Sequence, residues 1–141
     1  IDIKNKLITM YPKLDEKSLA FLSTGEFLFK IHTNDFIDYA PIMIEYCKVI
    51  ETELNEVLKM RKILNKKREY TLGQILVELE KKNPMEWLSF NPILREIIVL
   101  RNGSAHTGKS TRDKVLNLRS YLLEEKWLDF ILKWKDPLPK K

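Results

Sequence analysis

Residues 100–111 read Leu100-Arg101-Asn102-Gly103-Ser104-Ala105-His106-Thr107-Gly108-Lys109-Ser110-Thr111, and the way they are parsed decides the fold. The stretch holds one of the two histidines and two of the four glycines in the 141-residue chain. Parsed from Gly103, it matches a phosphate-binding loop: Gly103 and Gly108 with four residues between them, then Lys109 and Ser110. Such a loop works between a parallel strand and a helix, so it demands a sheet. Parsed from Arg101, it is an arginine-asparagine pair, three further residues and a histidine, which needs no sheet.

The upstream flank favours a helix. Ile97-Ile98-Val99-Leu100 could pass as a short strand, but the apolar run starts earlier, at Ile93 and Leu94. Asn91 and Pro92 stand before it as an N-cap and a first-turn proline. A phosphate-binding fold also needs several buried strands alternating with helices. The chain offers no convincing partner strand and no apolar run ending in an aspartate for magnesium. Nucleotide binding at 103–110 is therefore the weakest reading, and Lys109-Ser110 is taken as coincidence.

Outward from this stretch the pattern stays helical. A short helix over 1–10 stops at Tyr11-Pro12. Asp15 opens a second, with Leu19, Phe21, Leu22, Phe27, Leu28 and Ile31 apolar, Phe27 and Phe29 as large anchors, and Gly25 inside it. An interior glycine costs about 1 kcal/mol relative to alanine, so Gly25 implies close packing. The longest helix spans about 38–64, with Pro41 in its first turn and Ile42, Tyr46, Val49, Ile50, Leu54, Val57 and Leu58 on one face. Glu45, Lys48, Glu51, Thr52, Asn55, Glu56 and Lys59 fall outside that face. Thr71 and Gln74 have capping-box spacing ahead of Ile75, Leu76 and Leu79, and Asn83-Pro84 ends that helix. Trp87, Leu88 and Phe90 are expected to cover one end of the bundle. A last helix begins near Ser110 or Thr111 and runs past Tyr121, with Trp127, Phe130, Ile131 and Trp134 extending its pattern. The predicted class is all-α: an antiparallel bundle of about four main helices with short extra ones. Residues 1–14 read as an extension or link, 15–136 as the domain and 137–141 as a tail.

Composition sets the remaining bounds. The chain is 44% hydrophobic and 32% charged, which is globular, and its net charge of +5 permits an anionic partner without demanding one. No apolar run is long enough to span a membrane, and no signal peptide opens the chain. The single cysteine, Cys47, falls in an apolar helical run, as a small buried hydrophobe would, and fits a reducing cytoplasm. Opening on Ile1, the chain is expected to be part of a longer or processed protein. His32 ends the second helix; as an acid-base group or metal ligand it lacks neighbours at ligand spacing, whereas a helix C-terminus favours it there. Residues 59–68 carry six basic side chains and no acid: Lys59, Arg61, Lys62, Lys66, Lys67 and Arg68. They are candidates for RNA phosphates, with Lys109 added, or else a solvated helix end.

The chain resembles the HEPN superfamily, four-helix bundles of which many members are metal-independent ribonucleases. The resemblance rests on Arg101-Asn102 and His106, on Asp38-Tyr39-Ala40-Pro41 leading into Ile44-Glu45-Tyr46-Cys47-Lys48-Val49-Ile50-Glu51-Thr52-Glu53-Leu54, and on Thr71-Leu72-Gly73-Gln74-Ile75. It covers about 15–123 in the expected order. It implies catalysis by Arg101, Asn102 and His106 without metal or cofactor, with Glu51 as an acidic neighbour holding Arg101. It also implies a homodimer with a composite cleft. The chemistry suits these residue types: histidine titrates near neutrality, and arginine grips phosphate with a planar fork. Residues five apart on an ideal helix lie about 140° apart, so Gly103 and Gly108 are expected to end or distort the helix. Related bacterial domains act as toxins or anti-phage effectors, which implies RNA as substrate and either a fused upstream sensor or a nucleotidyltransferase antitoxin as partner. A non-catalytic dimerisation or RNA-binding module is the alternative.

Overall fold

The structure, a computed structural model, describes residues 2–107 and 110–136, with the backbone alone for 104–107. Among the described residues seven α-helices follow in order: α1 (Ile3–Met10), α2 (Glu16–Ile31), α3 (Ala40–Met60), α4 (Leu72–Lys82), α5 (Asn91–Thr107), α6 (Arg112–Arg119) and α7 (Trp127–Leu132). Among the described residues there is no strand, and the class is all-α as expected.

The helix starts are written in short polar side chains. Asp2, Asp15 and Thr111 accept from backbone amides in the first turns of α1, α2 and α6. Thr71 and Gln74 close both halves of a capping box on α4, and Asn83 ends that helix in the left-handed region. Asn91 does not cap as predicted. It is the first residue of α5, and its side-chain oxygen is buried without a hydrogen-bond partner.

Helix α3 is the hub, packed by α2, α4, α5, α6 and α7. Its predicted apolar face is buried, and so are Met43, Cys47, Glu53 and Asn55. A helix surrounded on most sides must bury polar residues and must satisfy them. Asn55, expected on the solvated side, pairs with the backbone of Tyr70 through Nδ2 to its carbonyl and Oδ1 from its amide, both at 2.9 Å. Glu53 accepts from Ser18 Oγ at 2.5 Å and meets Lys135 Nζ at 2.6 Å. Glu26 of α2 is gripped by Arg119 through Nε at 2.6 Å and a terminal nitrogen at 3.0 Å, and Tyr46 donates to the same carboxylate. Gly25 packs closely beside it: a Cβ there would lie 3.4 Å from the Tyr46 ring, at the near edge of ordinary contact.

Several boundaries differ from the sequence reading. Helix α3 stops at Met60, four residues early, because Lys62 turns into the left-handed region (φ 61°). The amides of Lys62 and Ile63 then bond back to Lys59 and Leu58 carbonyls at 3.0 and 2.9 Å, a Schellman closure. The segment expected as an extension belongs to the body, since Leu7 and Tyr11 are buried in the core. Phe29 is buried but Phe27 is half exposed, and Leu88 is also exposed. The predicted last helix is broken: a π-turn at Ser120–Glu124 follows α6, closed by Glu125 N to Ser120 O at 2.8 Å, and Lys126 (φ 64°) resets the chain before α7. Trp87 and Phe90 meet Phe130 at 5.2 and 5.9 Å, and Trp87 meets Trp134 at 5.7 Å, so an aromatic cluster closes that end. The tail 137–141 lies outside the described residues.

Candidate functional site

The arginine-to-histidine run lies on the last turns of α5. Residues 97–100 are helical, so no strand precedes Gly103, and the helix continues through Gly103 to Thr107. This corrects the expected break at Gly103, and it removes the strand-loop-helix context that a phosphate-binding loop needs. Gly108 and Lys109 lie outside the described residues, as does the side chain of His106.

A continuous helix fixes the register. Leu94 and Ile97 are fully buried, and Arg101 continues their line, three and then four residues on. At the end of the helix that line runs past the core, and Arg101 is exposed. Arg95, Val99 and Asn102 form the opposite, outward line and are all exposed; position 106 is the next on it. Asn102 and His106 therefore share a face by register, while Arg101 stands about 140° round the axis from His106.

On the core side, Arg101 stands near Cys47 and Glu51 of α3. Burial pushes the Cys47 thiol up to about 12, with the Arg101 charge opposing and the Glu51 charge adding to the rise. Among the described residues, however, no ion pair joins Glu51 to Arg101. Glu51 instead accepts from the Leu72 amide at 3.2 Å, placing its carboxylate at the α4 N-terminus, where the helix dipole favours it. The contact expected between Glu51 and Arg101 is thus not made within the chain.

Beyond the helix, the chain is caught again at once. The amide of buried Ser110 donates to Asp38 Oδ1 at 2.8 Å, and its carbonyl accepts from Tyr39 N at 3.0 Å. The same Asp38 oxygen accepts from Ala40 N at 3.0 Å at the start of α3. The Tyr39 hydroxyl donates to the carbonyls of His32 and Asn34, both 3.0 Å away. The His32 backbone thus serves as a fixture of the α2–α3 connection, and its amide closes α2 on Leu28.

The predicted basic run is not at this end. Lys59 is twelve positions beyond Cys47 on α3, about 18 Å along the axis, and the rest of the run continues away. Two of its members have structural partners: Lys59 pairs with Glu69 at 2.5 Å, and Arg61 donates to the Trp134 carbonyl at 2.8 and 3.1 Å and to that of Asp136 at 2.9 Å. Lys62 supplies the helix terminator, and Arg68 lies 4.6 Å over the Tyr70 ring. Lys66 and Lys67 are exposed.

One cation that the sequence reading passed over does reach α5. Lys114 Nζ lies 3.8 Å from where a Cβ on Gly103 would stand. Nothing in the local sequence marks it, since Lys114 is simply the third residue of a capped helix. Among the described residues no cluster of His, Cys, Asp or Glu has metal-binding geometry, and no helix is long and apolar enough to cross a membrane. Comparison with known proteins gives no match: no family model, curated protein or solved structure aligns with this chain.

Proposed function

We propose that this helical domain is a metal-independent endoribonuclease of the HEPN type, working as a homodimer. The observation that carries the reading is the exposed Arg101-Asn102 pair at the end of a continuous α5, with His106 one turn further on the Asn102 face. Arginine and histidine on opposite sides of one helix do not serve one phosphate within a chain. Two α5 helices facing each other across a twofold axis can bring Arg101 of one copy to His106 of the other.

In that cleft His106 takes the proton of a ribose 2′-hydroxyl, whose oxygen attacks the adjacent phosphorus. The new P–O2′ bond replaces the P–O5′ bond, and the leaving 5′-oxygen takes up a proton. The products are a 2′,3′-cyclic phosphate and a 5′-hydroxyl end. Arg101 holds the phosphate oxygens as charge builds on them, and Asn102 orients the histidine or an oxygen. Lys66, Lys67 and Arg68 can contact the RNA backbone away from the cut. The biological role that fits is a cytoplasmic toxin or anti-phage effector, controlled by a fused sensor or an antitoxin.

The test is cleavage of labelled tRNA in excess EDTA by wild type, His106→Ala and Lys109→Ala. Cleavage should survive EDTA and Lys109→Ala and fall by roughly a hundredfold or more with His106→Ala. RNA binding without cleavage in the wild type would instead make the domain a binding module. Dependence on magnesium and Lys109 would return the nucleotide-binding reading.

A further inference from the structure

The cations at the α3 N-terminal end of the bundle are mostly committed. Arg119 is locked on Glu26, and both Arg119 and Arg112 lie over the Phe29 ring, at 5.5 and 4.6 Å. Lys48 pairs with Glu45 at 3.4 Å and sits 5.1 Å over Phe21. Lys114 differs. Its ammonium rests against α5 at Gly103, where the missing side chain leaves room, and among the described residues no carboxylate pairs with it. Lys114 is partly exposed and is not sealed in the core. Gly103 is one position from Asn102 and three from His106; by helical register its direction is about 60° from that of His106 and about 160° from that of Arg101.

We infer that Lys114 is a phosphate-binding residue of the cleavage site, placing an ammonium beside the Asn102 and His106 face of α5 while Arg101 serves the other face. This rests on the ribonuclease reading above and adds a contact to it. An ammonium there acts as a compact charge that neutralises a non-bridging phosphate oxygen, and no proton leaves it. The glycine has a function in this arrangement: a long side chain at 103 would occupy the space the ammonium uses. The phosphate footprint at the cut is then built from α5 and α6, with the basic run of 59–68 outside it.

Two measurements test this. The first is cleavage in EDTA by Lys114→Ala and Lys114→Arg, with Lys4→Ala on α1 as a control for loss of one surface charge. Loss of a charge-assisted contact should lower kcat/KM roughly 10- to 100-fold in Lys114→Ala. Lys114→Arg should recover most of it, and Lys4→Ala should stay near wild type. The second is binding of an uncleavable 2′-O-methyl RNA across a salt series. Lys114→Ala should make the slope of log K against log salt shallower by about 0.7, as for one fewer phosphate contact on a single strand. A structural role alone would lower the melting temperature and leave that slope unchanged. Wild-type-like cleavage and slope in Lys114→Ala, with His106→Ala still inactive, would overturn the inference and leave the ribonuclease reading standing. If the wild type neither cleaves nor binds RNA, both fall.

Discussion

The backbone of Lys62 matters more to the fold than its charge. It holds the left-handed position of the closure that ends α3. A residue with a Cβ pays about 1–2 kcal/mol there, which glycine avoids. Lys62→Gly should therefore stabilise the protein by up to about 1 kcal/mol, read as a higher urea midpoint with an unchanged m-value. The glycines divide in the same way. At Gly103 a methyl would meet, among the described residues, only Lys114 Nζ at 3.8 Å, an ordinary contact, so Gly103→Ala should gain about 0.5–1 kcal/mol from helix propensity. At Gly25 the methyl would meet the Tyr46 ring at 3.4 Å, the near edge of ordinary contact, and that ring is held by its bond to Glu26, so Gly25→Ala should gain less than Gly103→Ala. Cys47 yields a chemical test. With its thiol buried and raised to about 12, it should resist alkylation at pH 8 in the folded protein and react at an ordinary rate in denaturant.

Between helices, the Glu26 node ties α2, α3 and α6 together. Burial alone would raise the Glu26 pKa, but the Arg119 fork and the Tyr46 hydroxyl outweigh it and hold the group below its ordinary value of 4.5. A depressed carboxyl contributes stability above its unfolded pKa and loses it as pH falls through the folded one. Glu26→Gln should therefore lower the melting temperature at pH 7 and flatten its decline below about pH 4.5, which a pH series of thermal melts would measure. Sequence periodicity made the helices legible, because the caps at Asp15, Thr71 and Thr111 are local signals and the apolar lines of α3 and α5 repeat at helical spacing. It did not reveal what depends on partners distant in sequence. Asn55 looks solvated until Tyr70 is beside it, and Glu51 looks available to Arg101 until the amide of Leu72 claims it. Of the candidate site, only the identities of Arg101, Asn102 and His106 were legible. Their register and the approach of Lys114 needed the course of α5 past Gly103 and the packing of α6 against it.

For the molecule as a whole, the proposed cleavage between two α5 helices would make activity a property of pairs. If Arg101 of one copy and His106 of the other form each site, mixing Arg101→Ala with His106→Ala should restore cleavage. The mixed dimer contains one site with both groups intact and one with neither, so activity should approach half that of wild type per mixed dimer. Inactivity in every mixture, with mixed dimers verified by mass, would place both groups of a site in the same chain. Specific activity should also fall on dilution, following dissociation measured by sedimentation.

The π-turn at Ser120–Glu124 imposes a different kind of constraint on the chain. An ordinary helix through that segment would use one residue fewer per turn, and the difference is kept by everything that follows. Deleting one residue there would let the segment close as an ordinary α-turn, whereas adding one to a turn that already carries an extra residue would rotate the chain entering α7 by about 100°. Leu128 and Ile131, both fully buried, would then swing off the core, and the aromatic cluster around Phe130 would lose its alignment. Changes of spelling at exposed Glu124 should pass unnoticed, whereas an added letter across 120–124 should not, and thermal melts of an insertion and a deletion variant should separate the two.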